Sequence, residues 1–382
     1  MRFSEIRHQE RAISILRRAL GSGRTHHAHL FEGPAGVGKE LTARALAARL
    51  LCEDDTLAPD ADACGRCGAC RLLASENHPD FHLIHRGLHK LHPDRAVRQR
   101  KGLFLGVDLI RHFLIEPAAL KPTQGRRRVF LIRDAERMNE EAQNALLKTL
   151  EEPPGTACLI LVTASAARLL PTIRSRCQIV PFTLLPTDFV AGELAARLGL
   201  AQADARALAA LADGRLGVAL QWQQIGLLAA LEQVAETVAH VSTGDPESFA
   251  KALVETATAL VTRAAEEEDD EDVEETEAED ETPRSGDKAV PTDVLRDALK
   301  LVLLLIGALY RDALVVRTGA PALRHVPQQA ARVDQLARQA SVDQLEADLR
   351  AVSEAERMLD RNVAPQLAGE RLAVALRGEL PT

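Results

Sequence analysis

Gly33-Pro-Ala-Gly-Val-Gly-Lys39-Glu40 follows a short apolar segment, Ala28-His-Leu-Phe, and opens an Ala/Leu-rich stretch from Leu41 to Leu51. Glycines at 33, 36 and 38 let backbone N–H groups turn inward around a phosphate, and the start of a helix adds positive potential there. Lys39 would reach the β- and γ-phosphates of ATP or ADP. A chance glycine-rich turn does not account for the whole run in a strand-to-helix setting. In a hydrolysing loop the residue after the lysine is Ser or Thr, whose hydroxyl binds Mg²⁺. Here it is Glu40, a carboxylate that would face the nucleotide's own charge. The other half of such a site is an apolar strand ending in an acidic pair, one residue for the metal and one to activate water. The strand Arg128-Val-Phe-Leu-Ile is present, but it runs into Arg133-Asp134-Ala135-Glu136. With Asp134 as the base, the metal position is Arg133; with Asp134 on the metal, the base position is Ala135. Either register lacks half of the pair. The pattern is that of a phosphate loop that has lost its own hydrolysis, with ATP or ADP binding at Gly33, Gly36, Gly38 and Lys39 weak or absent.

A second group of residues suits a metal. Cys52, Cys64, Cys67 and Cys70 crowd into nineteen residues with the spacing Cys-x₁₁-Cys-x₂-Cys-x₂-Cys. Four thiolates match the tetrahedral demand of zinc, and a Cys-x₂-Cys turn places two sulfurs on one ion. Gly65 and Gly68 are expected to allow the sharp turns between ligands. A redox Cys-x-x-Cys pair is the competing reading, but such a pair has no use for two further matched cysteines. With no open coordination position the zinc would be structural. Cys158 and Cys177 lie far from the cluster and are expected to be buried thiols.

The elements that must carry these groups alternate in the first half of the chain. Gln9 to Leu20 has helical apolar spacing and ends at Gly21. Ala28–Phe31, Arg128–Ile132 and Cys158–Thr163 read as buried strands; about Asn139 to Glu151 reads as a helix stopped by Pro153-Pro154-Gly155. Apolar strands alternating with helices predict an α/β domain with a parallel sheet. From Pro186 onward only helical patterns remain.

Composition sets the outer limits. The chain has 382 residues, of which 46% are hydrophobic and 27% charged, enough for more than one packed core. Nine Phe, one Trp and one Tyr argue against gripping single-stranded nucleic acid by base stacking. The net charge of −8 is misleading, because 266–281 holds 13 acidic residues and no basic one; without them the net charge becomes +5. That run, with its flank to 288, cannot bury enough apolar surface to order itself and reads as a disordered insertion in a helical domain. A basic stretch (Arg86, Lys90, Arg95, Arg98, Arg100, Lys101) reads as a solvated insertion or a set of phosphate contacts. The start, Met1-Arg-Phe-Ser-Glu, has no apolar signal core, and the longest apolar run, Leu301–Leu309, is far short of the ~20 residues of a membrane span. The expected setting is a reducing cytoplasm.

Three segments go further than pattern. Thr25-His-His-Ala-His-Leu-Phe-Glu-Gly-Pro-Ala-Gly-Val-Gly-Lys39, Asn144-Ala-Leu-Leu-Lys-Thr-Leu-Glu-Glu-Pro-Pro154 and Ser175-Arg-Cys177 together closely resemble the bacterial clamp-loader branch of the AAA+ ATPases. His78-Pro-Asp-Phe-His82, Gly106-Val-Asp-Leu-Ile-Arg111, Leu309-Tyr-Arg-Asp312 and Arg361-Asn362 are similar to that branch as well. The resemblance covers nearly the whole chain except the basic and acidic insertions. It implies an AAA+ domain over 1–183 with a zinc module at about 52–70, a helical lid over 184–222, and an all-α collar over 223–382. Motor subunits of the family, gamma/tau, carry Gly-Lys-Thr, an Asp-Glu pair and a sensor-2 arginine. Here Glu40, Arg133-Asp134 and Gly217 stand at those places, which is similar to the delta-prime branch. For that branch the resemblance implies a subunit with no ATPase of its own in a polymerase holoenzyme. It closes a hetero-pentamer with gamma/tau and delta subunits, which loads a sliding clamp on primer–template DNA. It also implies that Arg176 acts as an arginine finger in trans, on a neighbour's nucleotide. Two alternatives stay open: a hydrolysing motor subunit, supported by Gly38-Lys39, and a zinc-dependent nucleic-acid-binding module.

Overall fold

The computed structural model describes residues 1–23, 25–99, 104–272 and 290–378. They form two compact units, Met1–Pro186 and Thr187–Thr382.

The first unit is built on five parallel strands: β1 (Ala28–Glu32), β2 (Phe81–Ile84), β3 (Arg128–Ile132), β4 (Ala157–Thr163) and β5 (Gln178–Pro181), in the order β2-β3-β4-β1-β5. In the central register Leu30 pairs with Leu161 and Ile179, and Leu131 with Ile160 and Leu83. β3 and β4 are buried along their whole length, which is why they read as unbroken apolar runs. Alternate side chains divide between two cores. Phe31, Val129, Leu131, Cys158 and Ile160 pack with α1 (Glu10–Gly21), α2 (Lys39–Leu51) and α3 (Gly68–Ala74). Leu30, Phe130, Ile132, Leu159 and Leu161 pack on the other face, against residues of 107–118 and the Glu140–Glu151 helix. Asn139 caps that helix by accepting the Ala142 N–H at 3.0 Å. Strands β2 and β5 were not among the expected ones; each has only four residues and neither is continuously buried.

Two of the motif carboxylates serve the fold. Asp80 is fully buried and accepts the N–H groups of Thr123, Gln124 and Gly125 at 2.7–3.0 Å, with Arg128 at 3.4 Å. Burial alone would raise its pKa, but these donors outweigh it and hold the carboxyl below its usual range. It thereby shapes the turn that delivers the chain into β3. In the second unit Asp312 does the same for the 325–326 turn, accepting the N–H of His325 at 2.8 Å and of Val326 at 2.9 Å.

The second unit is helical throughout its described residues. Lid and collar residues, expected as separate parts, fall together in it. Its longest helices are Pro246–Asp272 and Thr292–Arg317. The first seven residues of the acidic run continue the first of these helices; the remainder, expected to be disordered, lies outside the described residues. Among the described residues no helix is long and apolar enough to cross a membrane.

One buried base ties the sheet to pH. His29 is fully buried on β1, and burial, helped by His26, pushes its imidazole down to about 4. The unfolded chain therefore takes up this proton near pH 6.5, long before the folded one does. Stability is predicted to fall as pH drops from about 6.5 to about 4, by on the order of 3 kcal/mol, and to change no further from this group below that. Urea unfolding across this range should show the slope in the wild type and a flatter one in His29→Leu.

Candidate functional site

The parallel sheet delivers the strand ends to one edge, and the phosphate loop leaves β1 there. Gly33 has φ 153°. A Cβ on it would lie 2.4 Å from the Phe182 carbonyl oxygen, so no side chain fits. Gly36 and Gly38 have φ 73° and 95°, and Gly38 caps α2 in the left-handed region that glycine tolerates. These glycines take the backbone conformations of a tight turn. Lys39 is buried, and its ammonium donates to the carbonyls of Gly33, at 2.6 Å, and Pro34. Burial pulls its pKa down to about 8, although the carboxylates of Glu136 and Asp134 act in the opposite direction.

Glu40 and Arg133 meet. Arg133 Nε donates to Glu40 Oε2 at 2.8 Å, and Nη2 donates to Oε1 at 2.6 Å, a two-pronged pair. Arg44, one turn along α2, donates from Nε to the same Oε1 at 3.2 Å and from Nη1 to Glu76 at 2.5 Å. Burial would raise the Glu40 carboxyl, but Arg133 and then Arg44 carry it below its ordinary value. The same contact raises Arg133. Sequence reasoning placed each residue at a metal-ligand position and did not join them. Instead of facing an incoming phosphate, Glu40 turns to the guanidinium. The available signal was that one departure is acidic and the other basic.

The cysteines also converge. The Sγ atoms of Cys52, Cys64, Cys67 and Cys70 all lie within 4.8 Å of one another, with Cys64 and Cys70 at 3.9 Å. Four sulfurs around one zinc stand about 3.8 Å apart, given a Zn–S bond of about 2.3 Å. Backbone N–H groups point at the sulfurs: Cys64 N to Cys52 at 3.5 Å, Arg66 N and Cys67 N to Cys64 at 3.4 and 3.3 Å, Cys70 N to Cys67 at 3.4 Å. Those of Arg66 and Cys67 hold the Cys64 thiol down at about 6. This donor set stabilises negative sulfur, and the group fits a metal. Gly65, at φ 72°, makes the expected turn; Gly68 does not, being the first residue of α3.

Arg176 follows the short Pro171–Arg174 helix. Its Nη1 donates to the Thr172 carbonyl at 3.0 Å and its Nη2 lies 2.6 Å from Glu151. About a third of the side chain (35%) is exposed. Burial pushes the Cys158 and Cys177 thiols up to about 12, but Cys177 is half-buried where a buried thiol was expected. Gly217 lies within the Leu216–Gln224 helix, and the neighbouring Arg215 stacks over Trp222 at 5.7 Å. Of the basic stretch, Lys90, Arg95 and Arg98 are exposed; Arg100 and Lys101 lie outside the described residues.

A strand–glycine loop–helix unit on a parallel sheet, with its lysine turned into the loop, defines a P-loop α/β domain. Residues 8–186 match the family described as DNA polymerase III, delta subunit. DNA polymerase III subunit delta′ of Pseudomonas aeruginosa is 44% identical over 160 residues, which are 41% of this chain and 43% of that protein. The delta′ subunit of Escherichia coli is 33% identical over 236 residues, 61% of this chain and 65% of that one. The gamma/tau subunit of Mycobacterium tuberculosis is 39% identical over 184 residues, 48% of this chain and 29% of that one. The matches thus span less than two thirds of these relatives' lengths. The N-terminal unit is similar to clamp-loader subunits of DNA polymerase III, delta-prime and gamma/tau alike.

The Glu40–Arg133 contact should register as a coupling. Urea unfolding of Glu40→Ala, Arg133→Ala and the double variant is expected to give an interaction energy of about 1 kcal/mol, the upper end for partly exposed pairs. Additive single effects would show the pair to be energetically idle.

Proposed function

We propose that this chain is the delta-prime subunit of a clamp loader. It hydrolyses little or no ATP itself and takes its place in a hetero-pentamer with gamma/tau and delta subunits. There it presents Arg176 to nucleotide held by the adjacent motor subunit. The assembled ring loads a sliding clamp on primer–template DNA. The observation that carries this reading is the Glu40–Arg133 pair. The two positions that would hold Mg²⁺ in a hydrolysing loop bear opposite charges and satisfy each other. A dication there would have to break a two-pronged ion pair and approach a guanidinium. Ser175-Arg176-Cys177, by contrast, keeps its motif, and its guanidinium is partly exposed. A chain without its own Mg²⁺ ligands has no use for a transition-state cation unless a neighbour supplies the phosphate. Delocalised charge and a rigid fork of donors suit arginine to that task.

With Mg²⁺ and ATP, the isolated chain is expected to turn over no faster than its Lys39→Ala variant. In the reconstituted ring, Arg176→Ala should assemble normally and slow the site it serves by ~10³-fold. Total ATPase and clamp loading should fall only in part, because other motor sites keep their own fingers. A Lys39- and Mg²⁺-dependent rate in the isolated chain would instead identify a motor subunit.

The four cysteines are proposed to hold one zinc with a structural role. The ion would tie the 52–67 segment to Cys70 on α3, and its positive charge would keep all four sulfurs as thiolates. Metal analysis of protein purified without chelator should find about one zinc per chain, and Cys67→Ser should lower that content. Metal-free wild-type protein from such a preparation would refute the assignment.

A further inference from the structure

The Glu140–Glu151 helix ends on a carboxylate, and Glu152 follows it. Negative charge at a helix C-terminus faces the negative end of the backbone dipole and is disfavoured there. Glu151 is therefore poorly explained by the needs of its own helix. Its carboxylate meets Arg176 Nη2 at 2.6 Å. The other side of the guanidinium is fixed by the Thr172 carbonyl, which accepts from Nη1 at 3.0 Å and also from Ser175 Oγ at 3.1 Å. The Arg176 N–H donates to the Ile173 carbonyl at 3.1 Å, so the backbone at the base of the side chain is anchored too. Guanidinium has five N–H donors in a rigid fork. Two of its nitrogens are held by these contacts, while the side chain keeps 35% of its surface open.

We propose that Glu151 is a positioning latch on the arginine finger. It holds the Arg176 guanidinium in the undocked chain and yields it to the γ-phosphate of the neighbour's nucleotide when the ring closes. This rests on the trans-finger reading above. The chemistry requires an exchange. A carboxylate in contact with the guanidinium offsets the charge that the phosphate is to meet, and carboxylate and phosphate repel each other across the same N–H groups. An ion pair with both partners partly exposed is weak enough to be exchanged. It also carries its own selectivity, because an occupant must bring more negative charge than one carboxylate. A transferring γ-phosphoryl group does so; a neutral surface does not.

The test is made on the ring reconstituted with motor and delta subunits, comparing wild type, Glu151→Gln, Arg176→Ala and the double variant. Glutamine keeps the shape of Glu151 and removes its charge. Glu151→Gln is expected to raise kcat in the absence of DNA and clamp by about two- to fivefold, the range that the strength of an exposed pair allows. KM for ATP should stay within about twofold, and the melting temperature of the chain should barely move; a merely structural glutamate would shift the latter and leave kcat alone. The double variant should match Arg176→Ala. If Arg176→Ala slows hydrolysis but Glu151→Gln leaves kcat unchanged or lowers it, the latch is wrong and the finger stands. If Arg176→Ala itself has no effect, the trans-finger reading fails, and the latch with it.

Discussion

All five strands run parallel, and the phosphate loop and Arg133 take their places from the edge where those strands end. A parallel sheet buried on both faces has no polar surface except at its strand ends, so charged groups collect there. The backbone makes this concrete. Phe182 N donates to the Glu32 carbonyl at 2.7 Å, Gly33 N to Thr163 at 3.3 Å, and Arg133 N to Ile84 at 2.9 Å. These bonds extend the ladder one residue beyond the strands and fix the points from which the loop and Arg133 depart. Phe182 then sits so close to Gly33 that the loop has only one residue type available at its first position.

Charge logic at this edge works as an exchange between distant positions. A hydroxyl and a carboxylate sharing a dication can be replaced by a carboxylate and a guanidinium sharing each other, a pair that is neutral without any metal. Without Arg133, Glu40 would keep only Arg44; without Glu40, Arg133 would lose both of its hydrogen bonds to that carboxylate. Lys39 shows the same economy, its ammonium satisfied by the loop's own Gly33 and Pro34 carbonyls. The loop is closed upon itself by contacts that a Mg²⁺-nucleotide would have to displace.

What could be read in advance, and what could not, divides along sequence distance. β1, β3 and β4 were legible because full burial writes itself as an apolar run, and the Glu140–Glu151 helix because Asn139 and Pro153 mark its ends. β2 and β5 were not: His82 interrupts one, while Gln178 and Pro181 make the other look like a turn. The convergence of the four cysteines was legible from their spacing, since Cys-x₂-Cys turns bring pairs of sulfurs together. The pairing of Glu40 with Arg133, 93 positions away, had no local signature, because only the sheet order brings β3 beside the loop's helix. The contact between Glu151 and Arg176 was hidden for the same reason. Motifs named the residues, and topology chose their partners.

The two arginines at the centre of this chain are both paired with glutamates, yet their surroundings give them opposite consequences. Arg133 is gripped twice by Glu40, which Arg44 also holds from within α2, so opening that pair would disturb a helix and a strand together. Arg176 is held once by Glu151, at a helix end that disfavours the glutamate, and by a carbonyl that keeps its own partner in Ser175. On the proposed reading the first pair stays closed and the second is traded. The same reading makes this asymmetry a division of labour: the nucleotide chemistry is withdrawn from the chain's own loop and left to a guanidinium that another subunit's phosphate can claim.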